Sequence, residues 1–292
     1  MIRQLLLSSR PLSWVNTAYP FAAAYLLTTG SPDWSFWLGT LFFLMPYNFA
    51  MYGINDVFDY ESDIRNPRKG GVEGAVLDTR LHRLTLWLSV LLCLPFVLYF
   101  VWVGSAASTT VLALSVFAVA AYSWKGLRFK EIPFLDSMTS SAHFVSPAVF
   151  ALVLAGAAWT PALAAIIVAY FAWGMASHAF GAVQDIQADR EAGLKSIATV
   201  LGARFTARFA LLGYAVAGLL LAAAALFTPG NALWLALAAL LVLPYLWMVW
   251  PFRSLADEQC EQANRGWRKF LAINFVVGFA VTMLLIGYAL AR

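Results

Sequence analysis

The feature that most constrains the fold of this chain is a series of apolar runs, each long enough to cross a bilayer. A helix needs roughly 20 apolar residues to span the hydrocarbon core. Apolar residues make up 62% of the chain and charged residues 12%, against roughly 25% charged residues in soluble domains. The sequence therefore predicts an all-α, polytopic membrane protein. Turn signals divide the runs into nine predicted transmembrane spans, at residues 11–29, 34–54, 83–103, 107–124, 133–155, 161–181, 207–227, 232–250 and 270–290.

Basic residues predict the orientation of these spans, because Lys and Arg accumulate in cytoplasmic loops. We place the N-terminus, with Arg3 and Arg10, in the cytoplasm. All 19 Lys and Arg residues except Arg292 then lie in cytoplasmic segments or their flanks. We expect a multi-pass protein of the cytoplasmic membrane, surrounded by lipid, with cytoplasmic active-site loops and its C-terminus outside. This topology accounts for the net charge of +4, so no nucleic-acid partner is expected.

A repeat in the order of the segments predicts one domain with two similar halves. The second predicted span is followed by an acidic motif and then a basic loop, and the same order recurs after the sixth predicted span. A period of four spans is typical of an internal repeat. We therefore predict a single integral-membrane domain over residues 1–292, built from two pseudo-repeated four-helix halves and a ninth helix.

The first acidic motif, Asn55-Asp56-x-x-Asp59-x-x-x-Asp63, follows directly on the second span. On a helix, carboxylates at i, i+3 and i+7 share one face, and Asn55 joins that face from its edge. Carboxylates crowded at a membrane helix end repel each other unless a cation neutralises them. Oxygen ligands select a hard cation, and Mg²⁺ is the first choice. A solvated acidic loop is the simpler alternative, but scattered loop carboxylates need not share a helical face.

The second acidic motif is Asp185-x-x-x-Asp189, just past the sixth span. Acidic pairs at i, i+4 are common, so this motif is weak evidence by itself. Its weight comes from its position, because the predicted topology places both motifs on the cytoplasmic side. The two motifs are therefore interpreted as two halves of one metal site.

Basic residues stand near each motif and at the end of the fourth span. Carboxylates, Mg²⁺ and Lys or Arg side chains together form a typical diphosphate site. A role in fixing the membrane orientation explains Arg68, Lys69 and Lys125 equally well. Arg190 is a further basic residue, directly after the second motif. The predicted diphosphate-binding residues are Arg65, Arg128, Lys130 and Lys195.

These motifs resemble the UbiA superfamily of intramembrane prenyltransferases. The two acidic motifs are similar to the first and second signatures of that superfamily. Residues 122–130 resemble the loop after its fourth span, and residues 193–202 resemble the segment after its second signature. Residues 9–20 and 51–71 are similar to one branch, the bacterial lycopene elongases of C50 carotenoid biosynthesis. The likeness covers essentially the whole chain.

The resemblance implies a nine-helix, UbiA-type bundle with a central cavity that opens near the cytoplasmic side. It also implies that two Mg²⁺ ions hold a prenyl diphosphate, and that Arg128 and Lys130 contact the phosphates. Asp56 and Asp63 would bind the metal directly or through water. The implied metal ligands are Asn55, Asp56, Asp59, Asp63, Asp185 and Asp189, and the implied catalytic residues are Asp56, Asp59, Asp185, Asp189 and Tyr122.

The implied reaction is metal-assisted ionisation of the diphosphate, after which an acceptor double bond attacks the allylic cation. The final cation loses a proton or takes up water. A membrane cavity excludes water from such a cation, and aromatic faces stabilise it. Tyr122 and Tyr52 are candidates for this role, although both could be interfacial tyrosines. His178 shares a helix face with Asp185 and could accept a proton, but a helix–helix hydrogen bond is the simpler explanation.

The acceptor is expected to be apolar, because no Lys or Arg lies in mid-span to hold an acidic acceptor. The choice of lycopene as acceptor and dimethylallyl diphosphate as donor rests on the resemblance, and a downstream carotenoid cyclase is a candidate partner. Two alternatives stay open. One is a prenyltransferase for aromatic or quinone precursors, and the other is a divalent-cation transporter, which would need acidic groups near mid-span.

Overall fold

A computed structural model describes residues 1–64 and 76–291 of the chain, and within them every regular element is a helix. Six short 3-10 segments connect some of the α-helices. The α-helices are α1 (Ile2–Ser8), α2 (Val15–Thr29), α3 (Trp34–Leu44), α4 (Pro46–Phe58), α5 (Tyr60–Asp63), α6 (His82–Val103), α7 (Ala106–Ser123), α8 (Leu135–Leu154), α9 (Pro161–Val183), α10 (Ile186–Glu191), α11 (Ile197–Leu226), α12 (Ala232–Leu240), α13 (Leu243–Val249) and α14 (Ala263–Leu290).

Seven helical segments in the described part are long and apolar enough to cross a membrane. They coincide with the last seven predicted spans, and the chain is an integral membrane protein. The first two predicted spans correspond to α2, which has 15 residues, and to the successive helices α3 and α4. The count of nine spans therefore stays a prediction. The seven segments are Thr79–Val103, Ala106–Ser123, Leu135–Leu154, Pro161–Val183, Ile197–Leu226, Ala232–Phe252 and Asp257–Leu290.

Pro46 interrupts the second predicted span, because a proline within a helix removes one backbone donor and clashes with the preceding turn. It begins α4 directly after the non-helical Met45. The amide of Asn48 compensates for the break: Nδ2 donates to Phe43 O at 2.8 Å and to Leu44 O at 3.0 Å. The side chain of Asn48 is fully buried. Carbonyl groups at the break therefore have hydrogen-bond donors. The second predicted span consists of two helices, and the second of them, α4, leads into the first acidic motif.

The chain divides into two compact units. Unit 1 comprises Met1–Phe129 and Ala142–Ala157. Its core is a cluster of aromatic rings from α2, α3, α6 and α8, in which the ring centroids of Phe21 and Phe43 lie 5.3 Å apart and those of Phe100 and Phe150 lie 5.2 Å apart. Because aromatic side chains bury large areas, this cluster makes a rigid support for the helices that carry the first motif.

Unit 2 comprises Lys130–Ser141 and Ala158–Arg292, so that α8 contributes its first residues to this unit. Its core lies between α9, α11, α13 and α14, where the rings of Tyr214 and Tyr245 stack 5.2 Å apart. Residues 182–206, between the sixth and seventh predicted spans, contain α10 and the start of α11. The latter helix is kinked at Gly202, which has a φ of 81°.

Candidate functional site

The backbone of the first acidic motif keeps helical spacing across a bend. Asn55 and Asp56 lie in the last turn of α4, Asp59 follows it, and Asp63 ends α5. The amide of Asp59 donates to Asn55 O at 2.9 Å, and the amide of Asp63 donates to Asp59 O at 2.8 Å. The turn-by-turn spacing predicted from the sequence is therefore present in unit 1.

Asp56 is held by the N-terminal segment of the chain. Ser8 Oγ donates to Asp56 Oδ2 at 2.9 Å, and Arg10 Nη2 lies 3.2 Å from Asp56 Oδ1. The side chain of Asp56 has no exposed surface. The guanidinium of Arg10 also lies over the ring of Tyr52, 4.4 Å from its centroid. The sequence analysis gave Arg10 a role only in membrane orientation, although it lies within residues 9–20, which resemble the lycopene elongases. That resemblance was the available signal for a further role.

Asp59 is paired with a predicted diphosphate residue. Arg128 Nη2 lies 3.7 Å from Asp59 Oδ1, and both side chains keep some exposure, 22% and 14%. Arg128 has a φ of 41°, and Gly126, two residues earlier, has a φ of 100°. Glycine adopts such backbone angles without a steric cost, whereas arginine rarely does. The loop after α7 therefore folds back so that its arginine reaches the first motif.

Asn55 receives a hydrogen bond from the end of α7. The hydroxyl of Ser123, which is buried, donates to Asn55 Oδ1 at 2.9 Å. The neighbouring Tyr122 packs edge-on against His143, with ring centroids 5.3 Å apart. Within unit 1 the structure thus brings the residues of the fourth predicted span to the first motif. Asp63, the last residue of the motif, is 7% exposed.

The second acidic motif forms one turn in unit 2. Asp185 is the N-cap residue of α10 and Asp189 lies within that helix, with the Asp189 amide donating to Asp185 O at 2.9 Å. The preceding Gln184 is fastened to α14, because Asn264 Nδ2 donates to Gln184 Oε1 at 2.6 Å. Asp185 and Asp189 are therefore one helical turn apart, and the residue before the motif is hydrogen-bonded to α14.

Arg190 braces the second motif against the segment before α14. Its Nη2 lies 2.8 Å from Asp257 Oδ2, and its Nε donates to Thr199 O at 2.9 Å. Asp257 Oδ1 accepts a hydrogen bond of 2.7 Å from the amide of Ala203, beside the kink of α11. These contacts join α10 to the start of α11 and to the segment before α14 within unit 2.

The remaining predicted cations differ in their surroundings. Lys195 is exposed and comes directly before Ser196, the N-cap of α11. Lys130 is half-buried in the 3-10 segment Phe129–Glu131. Arg65, Arg68 and Lys69 lie outside the described residues.

Asp136 is a polar residue of unit 2 that sequence reasoning did not weigh. It is fully buried in the first turn of α8. Its Oδ2 accepts a hydrogen bond of 2.6 Å from the amide of Ile197, and its Oδ1 accepts one of 2.6 Å from the amide of Ser137. Ser137 Oγ lies 3.2 Å from Nδ1 of His178. This contact agrees with the helix–helix hydrogen bond expected for that histidine. The signal was available, since Asp136 is a carboxylate inside a predicted span.

The first motif supplies amide and carboxylate oxygens, which are the donors that Mg²⁺ prefers. In the described residues, however, no three His, Cys, Asp or Glu side chains stand together as a metal-binding group. In unit 1 two of the motif carboxylates, Asp56 and Asp59, face arginines. The donor chemistry of the motif therefore fits Mg²⁺, and arginine side chains supply positive charge beside it.

The sequence was compared with protein families and curated proteins. The UbiA prenyltransferase family model matches residues 17–276. A C(50) beta-cyclic carotenoids biosynthesis protein, LbtBC, of Dietzia sp. (strain CQ4) is 54% identical over 286 residues, which are 98% of this chain and 65% of that protein. A lycopene elongase/hydratase of Corynebacterium glutamicum is 53% identical over 286 residues, which are 98% of this chain and 97% of that protein.

Solved structures share the fold. A UbiA homolog from Archaeoglobus fulgidus, bound to DMAPP and Mg²⁺, matches with a TM-score of 0.69 and 20% identity, covering 94% of this chain and 98% of that chain. The apo structure of a UbiA homolog from Aeropyrum pernix K1 matches with a TM-score of 0.64 and 18% identity, covering 94% and 98%. At these identities the likeness establishes the fold alone.

Proposed function

This chain belongs to the UbiA prenyltransferase family and is a prenyltransferase, and we propose that it transfers dimethylallyl groups from dimethylallyl diphosphate to the ends of lycopene. The observation that carries the proposal is the identity of 53% with the Corynebacterium lycopene elongase/hydratase along nearly the full length of both chains. Each end of lycopene would receive one five-carbon unit, giving C45 and then C50 products. The predicted acceptor is apolar, in keeping with the absence of Lys and Arg from the predicted mid-spans.

The two acidic motifs are proposed to bind the donor through Mg²⁺. Asn55, Asp59 and Asp63 supply oxygens from the first motif, and Asp185 and Asp189 supply them from the second. This joint role rests on the sequence pattern and on the family. When bound, Mg²⁺ neutralises charge on the leaving diphosphate. Asp56 was included among the predicted ligands, but Ser8 and Arg10 occupy its two oxygens.

Basic side chains are proposed to hold the diphosphate itself. Arg128 already faces Asp59 at 3.7 Å, so a phosphate oxygen bound beside this carboxylate would fall within reach of the guanidinium. Charge-assisted hydrogen bonds of this kind are about twice as strong as neutral ones. Lys130 and Lys195, with Arg65, complete the proposed set. Their positive charge favours breakage of the C–O bond, in which the bonding electron pair leaves with the diphosphate.

The allylic cation is then attacked by the electron pair of a terminal lycopene double bond. A new C–C bond forms and the positive charge moves onto the acceptor, which releases a proton or takes up water. Tyr122, whose ring lies at 79° to that of His143, is proposed to stabilise a cation with its ring face. Apolar helices exclude the water that would otherwise capture the first cation.

The setting of the reaction is also a proposal. We place the enzyme in the cytoplasmic membrane as one domain, with its N-terminus and active-site loops in the cytoplasm and its C-terminus outside, following the distribution of Lys and Arg. A separate carotenoid cyclase is a candidate partner, since the longer Dietzia relative is named for beta-cyclic carotenoids.

The experiment that tests the function uses the purified chain in lipid nanodiscs with lycopene, dimethylallyl diphosphate and Mg²⁺. We expect C45 and C50 carotenoids by liquid chromatography, and no product when EDTA removes the metal. Parallel reactions contain 4-hydroxybenzoate or a naphthoate in place of lycopene. A prenylated aromatic product without any C45 carotenoid would assign the chain to the aromatic branch instead.

A further inference from the structure

The N-terminal segment of unit 1 forms a compact strap, which we define as residues 8–14. Ser9 Oγ donates to Leu6 O at 2.6 Å, and the indole Nε1 of Trp14 donates to Ser9 O at 3.0 Å. The amide of Ser13 donates to Arg10 O at 2.8 Å. Local hydrogen bonds therefore hold the strap together up to the start of α2 at Val15.

The strap touches α4 at the first acidic motif and lies close to its backbone. Ser8 is fully buried and Ser8 Oγ bonds Asp56. A Cβ atom added to Gly53, one turn before Asp56, would lie 3.8 Å from Ser8 Oγ and 2.9 Å from Thr85 Cγ2. The absence of a side chain at Gly53 thus lets Thr85 of α6 approach this turn of α4, and Ser8 of the strap lies at ordinary van der Waals distance from the same position.

Arg10 makes its contact from a strained backbone. Its φ is 50° and its ψ is 71°, in the left-handed region that non-glycine residues rarely occupy. A residue before proline normally adopts extended angles, and Pro11 follows Arg10. Such conformations cost of order 1–3 kcal/mol and persist only where surrounding contacts over-determine them. The contacts that do so here are the ion pair with Asp56 and the stacking on Tyr52.

From this geometry we infer that Asp56 anchors the strap and that Arg10 is a positioning residue for the metal-binding part of the first motif. Both oxygens of Asp56 are engaged by the strap, and its side chain is fully buried. Asp56 directly follows Asn55 and lies three residues before Asp59, so fixing it fixes the turn that presents both. Ser8 and Arg10 lie outside the residues 17–276 that match the family model. The inference rests on the proposed function for the identity of the metal.

The test is a double-mutant cycle on Arg10→Met and Asp56→Asn in nanodiscs, with Mn²⁺ binding in the presence of dimethylallyl diphosphate measured by electron paramagnetic resonance. We expect each single variant to weaken Mn²⁺ binding about 10- to 100-fold, the usual effect of removing a group that orients metal ligands. The double variant should bind Mn²⁺ no more weakly than the single variant with the lower Mn²⁺ affinity. Arg10→Lys should recover part of the affinity that Arg10→Met loses. Arg3→Met, an exposed arginine of α1, is the matched control and should bind as the unaltered chain does.

Two results would overturn the inference. One is additive losses in the double variant, and the other is loss of Mn²⁺ binding in Asp56→Asn with unchanged binding in Arg10→Met, which would make Asp56 a ligand. Thermal unfolding of each variant separates an altered site from an unfolded chain. Binding needs no lycopene, so a coupled loss of Mn²⁺ affinity in the variants would sustain the inference even if the unaltered chain made no C45 product, a result that would refute the proposed acceptor.

Discussion

Arg128 Nη2 lies 3.7 Å from Asp59 Oδ1, and the arginine reaches this carboxylate from a left-handed backbone. Arg10 faces Asp56 from the same unusual backbone region. Two arginines from separate loops therefore supply positive charge to neighbouring turns of one acidic motif in unit 1. Backbone strain of this kind concentrates at functional sites, because binding geometry is maintained there at a cost in stability.

Removing a predicted metal-binding carboxylate should abolish turnover. We expect Asp59→Ala and Asp185→Ala each to leave no detectable C45 or C50 product, because the diphosphate leaves only when its charge is neutralised. Both residues lie at helix ends and are not fully buried, so the variants should still insert and purify. Carotenoid analysis of lycopene-producing cells measures product formation, and immunoblots of the membranes measure insertion. Near-normal product from either variant would refute its role as a metal ligand.

Replacing the basic residues after α7 should weaken donor binding rather than acceptor binding. For Arg128→Gln we expect KM for dimethylallyl diphosphate to rise about 10- to 100-fold, the equivalent of roughly 1.5–3 kcal/mol for a hydrogen bond to a charged group. Lys130→Gln should act in the same direction. Arg80→Gln, at an exposed arginine before α6, is the control and should leave KM unchanged. A selective increase of KM for lycopene would contradict the assignment.

Asp136 should matter for stability. Asp136→Ala removes the acceptor for the Ile197 and Ser137 amides, and leaving buried donors without a partner costs about 1–3 kcal/mol each. We expect a clear fall in the thermal unfolding midpoint in detergent. Ser137→Ala, which keeps the carboxylate, should cause a smaller fall. Equal midpoints for Asp136→Ala and the unaltered chain would show that this network does not stabilise unit 2.

Two glycines provide a matched pair for packing. At Gly39 an added Cβ would clash with the Phe21 ring, whereas at Gly278 no described atom outside the surrounding backbone of its own helix lies within 4 Å. Phe21 is fully buried in the aromatic core, so Gly39→Ala forces core rings apart. Overpacking typically costs about 1–3 kcal/mol. We expect Gly39→Ala to lower the unfolding midpoint and Gly278→Ala to leave it unchanged or higher. A lower unfolding midpoint for Gly278→Ala than for Gly39→Ala would contradict the close contact of α2 and α3 at Gly39.

Much of the helical framework was predictable because lipid imposes a length and a composition on any spanning helix. The last seven predicted spans coincide with observed segments for that reason. The second predicted span was interpreted as one helix, yet Pro46 divides it. Hydropathy averages over a window and does not register one missing backbone donor. The spacing within each acidic motif was also predictable, since it depends only on local helical geometry.

Local composition and spacing were enough to predict the membrane class, the family and the order of charged motifs along the chain. The partners of those charges became known from the folded chain. Arg10 and Asp56 are 46 residues apart in the chain, and Asp136 and Ile197 are 61 apart. A contact across such a separation depends on how helices pack and loops reverse, and no local pattern of residues contains that information.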